Sequence, residues 1–169
     1  SKSAQGTYSK PMDAAHFVDK YGADIVRLWA ASVEFTHEVP FSEESFALLA
    51  DAYRQFRNVL RILLANLHDL PASGAAGAAD PGVNAPPQGA TTMDRWLLSR
   101  VQSVITSCTE AYAAYDFRRV FQALNQFCTV DLSALYVDMT KNRLYCERVD
   151  APRRRATQAV MAHAFDALC

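Results

Sequence analysis

No apolar run in this chain reaches the roughly 18 residues that a membrane-spanning helix needs, and no charged-then-apolar leader opens it. Cysteine is sparse. Cys108, Cys128, Cys146 and Cys169 lie far apart, with no CxxC pair and no His/Cys cluster of zinc-binding spacing, so neither a disulfide framework nor a metal site is expected. Reduced, mostly buried thiols fit a cytoplasmic protein. Charge of neither sign prevails: the formal net charge of −1 excludes a global basic field, and any nucleic-acid surface must be local. The six glycines form no phosphate-cradling loop. His16, His37, His68 and His163 are scattered, so no nucleophile-base pair can be assembled by spacing. Asp131 and Asp138 share a helix face without a partner acid across a cleft.

What the chain does contain is apolar residues, half of its composition, arranged mostly at helical spacing. Residues 1 to 12 carry no sustained period and read as loop with at most a short strand. Asp13 opens a short helix that Gly22 ends in a left-handed position, and a second follows from Ala23 through Trp29. Residues 33 to 41 alternate apolar and polar up to Pro40, which predicts a short edge strand. Ser42 then caps a long helix with Glu43 and Glu44 in its first turn. Its seam is Phe46, Leu49, Tyr53, Phe56, Leu60, Leu63, Leu67 and Leu70.

Residues 71 to 90 hold one charge, no aromatic and four prolines, a composition that predicts a mobile loop. Thr91 with Asp94 forms a capping-box pattern ahead of Met93, Leu97, Val101, Val104, Cys108, Ala111 and Tyr115. Asp116 caps a further helix carrying Phe117, Phe121, Leu124, Cys128, Leu135 and Met139, with an irregularity near Asp131. After Pro152 a last amphipathic helix presents Val160, Met161, Ala164, Phe165 and Leu168 on one side. The fold class is therefore mainly α: an antiparallel helix bundle over residues 42 to 169, with the loop 71 to 90, behind a small α/β segment over residues 1 to 41. Both ends read as cut, since Ser1 is not an initiator Met and Cys169 falls inside an apolar helical pattern without a stop signal.

The candidate chemistry is cationic. Arg54, Arg57 and Arg61 each follow a seam residue, so they share a stripe beside the core and could track phosphates, with Trp96, Arg100, Lys141 and Arg143 extending that surface. A solvated helix face accounts for the same residues. Arg153, Arg154 and Arg155 sit at a helix N-terminus, where positive charge opposes the dipole; a partner or a solvated run would each explain them.

Several strings resemble the class I aminoacyl-tRNA synthetases, and within them the isoleucyl type. Ser1-Lys2-Ser3 is similar to the end of the Lys-Met-Ser-Lys-Ser signature. Tyr21-Gly22-Ala23-Asp24 followed by Arg27-Leu28-Trp29 resembles the segment after that loop. The run from Tyr53 to Arg61, Asp94-Arg95-Trp96-Leu97-Leu98-Ser99-Arg100, and Leu135-Tyr136-Val137-Asp138 with Lys141-Asn142-Arg143-Leu144-Tyr145 resemble the anticodon-binding bundle. Two departures stand out: Ala4-Gln5-Gly6-Thr7 replaces the usual Leu-Gly-Asn, and Asn142 stands where Asp is common.

The resemblance implies that Lys2, as the catalytic lysine of the signature, with Ser1 and Ser3, contacts the phosphates of ATP only in the full-length enzyme, which uses ATP with Mg2+. It implies no cofactor and no activity in this piece, a zinc site only outside it, and a single-copy module with no membrane or DNA partner. The implied partner is the isoleucine acceptor tRNA, held by Arg54, Arg57, Asn58, Arg61, Arg95, Trp96, Arg100, Lys141 and Arg143. The same region of a valyl or leucyl relative, or a helical scaffold for a protein partner, are the competing readings.

Overall fold

A computed structural model describes residues 13–34, 36–39, 42–71 and 86–169. Among them the regular elements are all helical: α1 (Ala14–Tyr21), α2 (Ala23–Ser32), α3 (Glu43–Leu67), α4 (Thr92–Ala113), α5 (Phe117–Gln126), a π-helical segment (Phe127–Val137), α6 (Asp138–Cys146) and α7 (Pro152–Leu168). No helix among the described residues is long and apolar enough to cross a membrane. The chain divides into two compact units, one ending at Arg54 and the other beginning at Gln55.

In the first unit, the Asp13 carboxylate accepts the His16 N–H at 2.9 Å and caps α1. Gly22 separates α1 from α2 with φ +92° and ψ 154°. That is positive φ as expected of a helix-ending glycine, but with an extended ψ, a region open in practice to glycine alone. Phe17 stacks on Phe46 with ring centroids 4.3 Å apart, and Ile25 and Leu49 complete the buried set. Ser42 caps α3 by accepting the Ser45 N–H. The edge strand expected over residues 33 to 41 is not found among the described residues, so the α/β character assigned to this segment is corrected to helix and turn. The His37 N–H turns back to the Glu34 carbonyl, and the Thr36 hydroxyl donates to the Glu34 carboxylate. Alternation alone forms no strand unless a neighbouring strand takes the outward N–H and C=O groups, and among the described residues here the bonds are those of a local turn. The short strand allowed within residues 1 to 12 lies outside the described residues.

The second unit is the bundle. α4 is its centre, packed against α5, the π segment and α7. The core joins Val59 and Leu63 of α3, Leu97, Leu98 and Val101 of α4, Phe127, Cys128, Leu132 and Tyr136 of the π segment, and Val160, Met161 and Ala164 of α7. Along α3 the buried line here is Val59, Leu63 and Asn66, and the expected seam residue Leu60 is only half-buried. Tyr115, expected as the last seam residue of α4, is instead exposed beyond its end with φ 57°. The Asp116 N–H reaches the Ala111 carbonyl at 2.8 Å, the six-residue closure of a helix whose next residue is left-handed.

The irregularity expected near Asp131 is the π segment itself. At 3.6 residues per turn Phe127 and Tyr136 would point about 180° apart. Both are buried, and the wider π turns carry Phe127, Asp131, Leu132 and Tyr136 toward one side. Of the segment read as a mobile loop, residues 72 to 85 lie outside the described residues. Residues 86–90 form a turn in which the Ala90 N–H reaches the Pro87 carbonyl and Gly89 takes φ +89° against Pro152.

Candidate nucleic-acid interface

The basic residues nominated from sequence separate into those that face solvent and those the fold consumes. Arg57, Asn58 and Arg61 are exposed on α3 in the bundle unit, with the two arginines one helical turn apart. Arg61 makes no ion pair among the described residues. Arg54, the third member of the stripe, lies in the first unit. Its guanidinium pairs with Asp51 and donates to the Ala50 carbonyl at 3.3 Å. Arg95 is exposed in the first turn of α4. Its neighbour Trp96 is half-buried and packs against the core. Lys141 is exposed and donates to Asp138 at 2.7 Å, a contact that raises its pKa. Ser1, Lys2 and Ser3 lie outside the described residues.

Arg143 turns inward, and Arg100, though its side chain stays 39% exposed, is tied to a carboxylate. Asp94 is fully buried, and its carboxylate is the meeting point of four helical elements, α4, the π segment, α6 and α7. One oxygen accepts from the Thr91 N–H and hydroxyl, both at 2.7 Å, and from Arg143 at 3.0 Å. The other accepts from the Tyr136 hydroxyl at 2.6 Å and the Thr157 hydroxyl at 3.1 Å. The capping box read from Thr91 and Asp94 is present, and the same aspartate is also the buried counter-charge for Arg143. A buried carboxylate needs such donors, because desolvating it unpaired would cost several kcal/mol. Burial, reinforced by the Asp94 charge, pushes the Tyr136 phenol well above its ordinary value. Arg100 donates to Asp131 at 2.7 and 3.1 Å and ties α4 to the π segment. The guanidiniums of Arg100 and Arg143 are thus already committed to carboxylates. Asp131 and Asp138, considered as an acid pair, are each engaged by a cation instead.

The arginine run at the start of α7 has its partners within the chain. Arg154 is buried and donates to Asp69 at 2.6 Å and to the Leu144 carbonyl at 3.2 Å. Arg155 donates to the Asp69 carbonyl at 2.6 Å, Gln158 reaches the Asn66 carbonyl at 2.8 Å, and Arg153 pairs with Glu147. Asp69 and the Asn66 carbonyl sit at the C-terminal end of α3, while Leu144 and Glu147 belong to the end of α6. Positive charge that opposes the dipole of α7 therefore neutralises the negative end of α3 and satisfies carbonyls left over there. Arg154, with Gln158 beside it, holds the Asp69 carboxyl well below the usual carboxylate range.

Beside Asn58 the bundle carries a groove of about 390 Å3, lined by Gln55, Asn58, Val59 and Ile62 of α3 and by Cys128, Thr129 and Ser133 of the π segment. Gln55, Thr129 and Ser133 were not nominated from sequence. Gln55 was accessible to such reasoning, since it precedes Asn58 by three residues on one helix face. The other two share a face at i,i+4 spacing as well, but that this face lies beside α3 is a matter of tertiary packing. Among the described residues no group of three His, Cys, Asp or Glu side chains could hold a metal ion.

Residues 94–169 match the family model described as the anticodon-binding domain of tRNA ligase. The chain is 41% identical over 157 residues to an isoleucine-tRNA ligase of Symbiobacterium thermophilum, covering 93% of this chain and 16% of that protein. It is 45% identical over 143 residues to one from Prochlorococcus marinus, covering 84% of this chain and 14% of the relative. It is 43% identical over 146 residues to one from Xanthomonas campestris pv. campestris, covering 86% and 15%. The chain thus spans about one sixth of the length of the relatives it matches.

Proposed function

We propose, from the match of residues 94–169 to the family model of the anticodon-binding domain of tRNA ligase and from the similarity to isoleucine-tRNA ligases, that this chain is a tRNA-docking segment of an isoleucine-tRNA ligase. Its task is to hold the isoleucine acceptor tRNA, in the cytoplasm and as a single copy, while the longer protein joins isoleucine to it with ATP and Mg2+. Lys2 with Ser1 and Ser3 would belong to that ATP chemistry, and the bundle takes no part in it.

The observation that carries the reading is the contrast among the basic residues. Arg100, Arg143, Arg154 and Arg155 are drawn into the fold by carboxylates and carbonyls, whereas Arg57, Asn58 and Arg61 remain on the outer face of α3. Exposed guanidinium groups one helical turn apart suit the phosphates of an RNA backbone, which they engage in a bidentate manner. Arg95 and Lys141 are secondary contacts, and Arg54 belongs to the first unit.

The test is charge reversal. Arg57→Glu with Arg61→Glu is expected to weaken binding of the isoleucine acceptor tRNA at least tenfold and to lower the slope of log K against log salt by about two. The circular-dichroism spectrum should be unchanged, since both side chains are exposed. Binding at wild-type strength by the doubly reversed chain would overturn the assignment. Preference for a valine or leucine acceptor would move it to a relative, and no binding of any tRNA by the wild-type chain would leave the helical-scaffold reading.

A further inference from the structure

The groove between α3 and the π segment is uncharged, unlike the arginine face beside it. Its rim carries two carboxamides, Gln55 and Asn58, on one wall and two hydroxyls, Thr129 and Ser133, on the other. Gln55, Asn58 and Ser133 make no side-chain hydrogen bond among the described residues. Thr129 donates its proton to the Asn125 carbonyl at 2.7 Å and keeps its oxygen lone pairs toward other donors. Val59, Ile62 and Cys128 line the remainder and are buried or half-buried. Burial pushes the Cys128 thiol up to about 11, so it too is neutral near pH 7.

We propose that this groove takes one unpaired nucleobase of the bound RNA, read on its edge by the carboxamides of Gln55 and Asn58. The inference rests on the RNA-docking reading above and deepens it. With no charged side chain in its lining, the groove offers a phosphate or a carboxylate no cation to pair with, only neutral hydrogen-bond donors. A carboxamide presents a donor and an acceptor side by side, which is the pattern that Asn and Gln use against base edges. An apolar floor suits the face of a planar ring, and at about 390 Å3 the space lies in the size range of small-molecule clefts, roughly 300–1,000 Å3. Arg61 follows Asn58 by three residues on α3, so a guanidinium stands one turn away, in reach of the phosphate of the same or the next nucleotide. Single-stranded loops, whose bases can be splayed out, are where RNA sequence is read. Thr129 and Ser133, four residues apart in the π segment, share one face and form the second wall of the groove.

The experiment compares the wild-type chain with Gln55→Ala and Asn58→Ala against a transcribed isoleucine acceptor tRNA and a set of the same RNA, each with one loop nucleotide made abasic. Asn58→Ala is expected to weaken binding about tenfold, with the salt slope and helicity unchanged, whereas loss of Arg61 lowers the slope. One abasic RNA should bind the wild-type chain about tenfold more weakly and show no further loss with Asn58→Ala. RNA binding by the wild-type chain together with both variants within twofold of it would overturn the groove assignment and leave RNA docking standing. Losses from Asn58→Ala and from every abasic position that simply add would also overturn it. If the wild-type chain binds no RNA at any salt concentration, the docking reading fails and this inference with it.

Discussion

Removal of the buried Asp94 carboxylate should destabilise the bundle by about 4 kcal/mol. The side chain accepts from Thr91 twice, Arg143, Tyr136 and Thr157, and it is fully buried. Asp94→Ala removes half of the capping box, worth about 1 kcal/mol. It also strands the Arg143 guanidinium, whose side chain is 13% exposed and whose other hydrogen bond goes to Thr157. Breaking a buried ion pair from one side costs about 3–5 kcal/mol, and the slight exposure of Arg143 argues for the lower end. With an m-value of about 2 kcal/mol/M, the urea midpoint should fall by about 2 M.

The converse variant is milder. Arg143→Met leaves Asp94 with its remaining donors, so a cost of about 1–2 kcal/mol is expected. The double variant should then be more stable than the sum of the two losses by about 2 kcal/mol, because neither charge is left alone. A midpoint shift below about 0.5 M for Asp94→Ala at unchanged m, or strictly additive losses in the cycle, would refute the argument. It would also return Arg143 to the list of residues available to RNA.

Two further outcomes follow from the helix junctions. The folded Asp69 carboxyl is lowered by Arg154, so its contribution is fully present above the unfolded pKa of about 3.9 and is lost as the pH falls from there toward the folded value. Asp69→Asn should therefore flatten the fall in urea midpoint between about pH 5 and pH 2 relative to the parent; an identical acid profile would contradict this. Gly89→Ala places a Cβ 2.9 Å from the backbone of Pro152 at a φ of +89°. A loss of about 1–2 kcal/mol is expected, read as a drop of several degrees in the thermal midpoint, and an unchanged midpoint would show that the turn adjusts freely.

Much of this architecture was legible because it rests on local rules. The caps at Asp13, Ser42 and Asp116, the glycine between α1 and α2, and Pro152 in the first turn of α7 are short-range chemistry, and each is where the residue type requires it. The apolar faces of α4 and α7 follow from period alone. Failures came where a distant partner decides. The 33 to 41 stretch had the alternation of a strand, but among its described residues the His37 N–H turns back to Glu34, and Tyr115 continued an apolar pattern past the point where the helix closes.

The candidate interface divides along the same line. Sequence spacing determined that basic residues lie beside the bundle core, and the resemblance of its strings pointed to tRNA ligases. Spacing could not say which arginines stay outside, because a guanidinium pairs with whatever carboxylate lies within reach, and Asp69, Asp94 and Asp131 come from elements 31 to 86 positions away in the chain. Only the tertiary structure decided that Arg143 and Arg154 are internal counter-charges, that Arg100 is paired with Asp131, and that Arg57 and Arg61 are exposed. The groove has the same origin: Thr129 and Ser133 share a face by spacing, but that this face lies beside α3 is a matter of tertiary packing that no single helix carries in its own sequence.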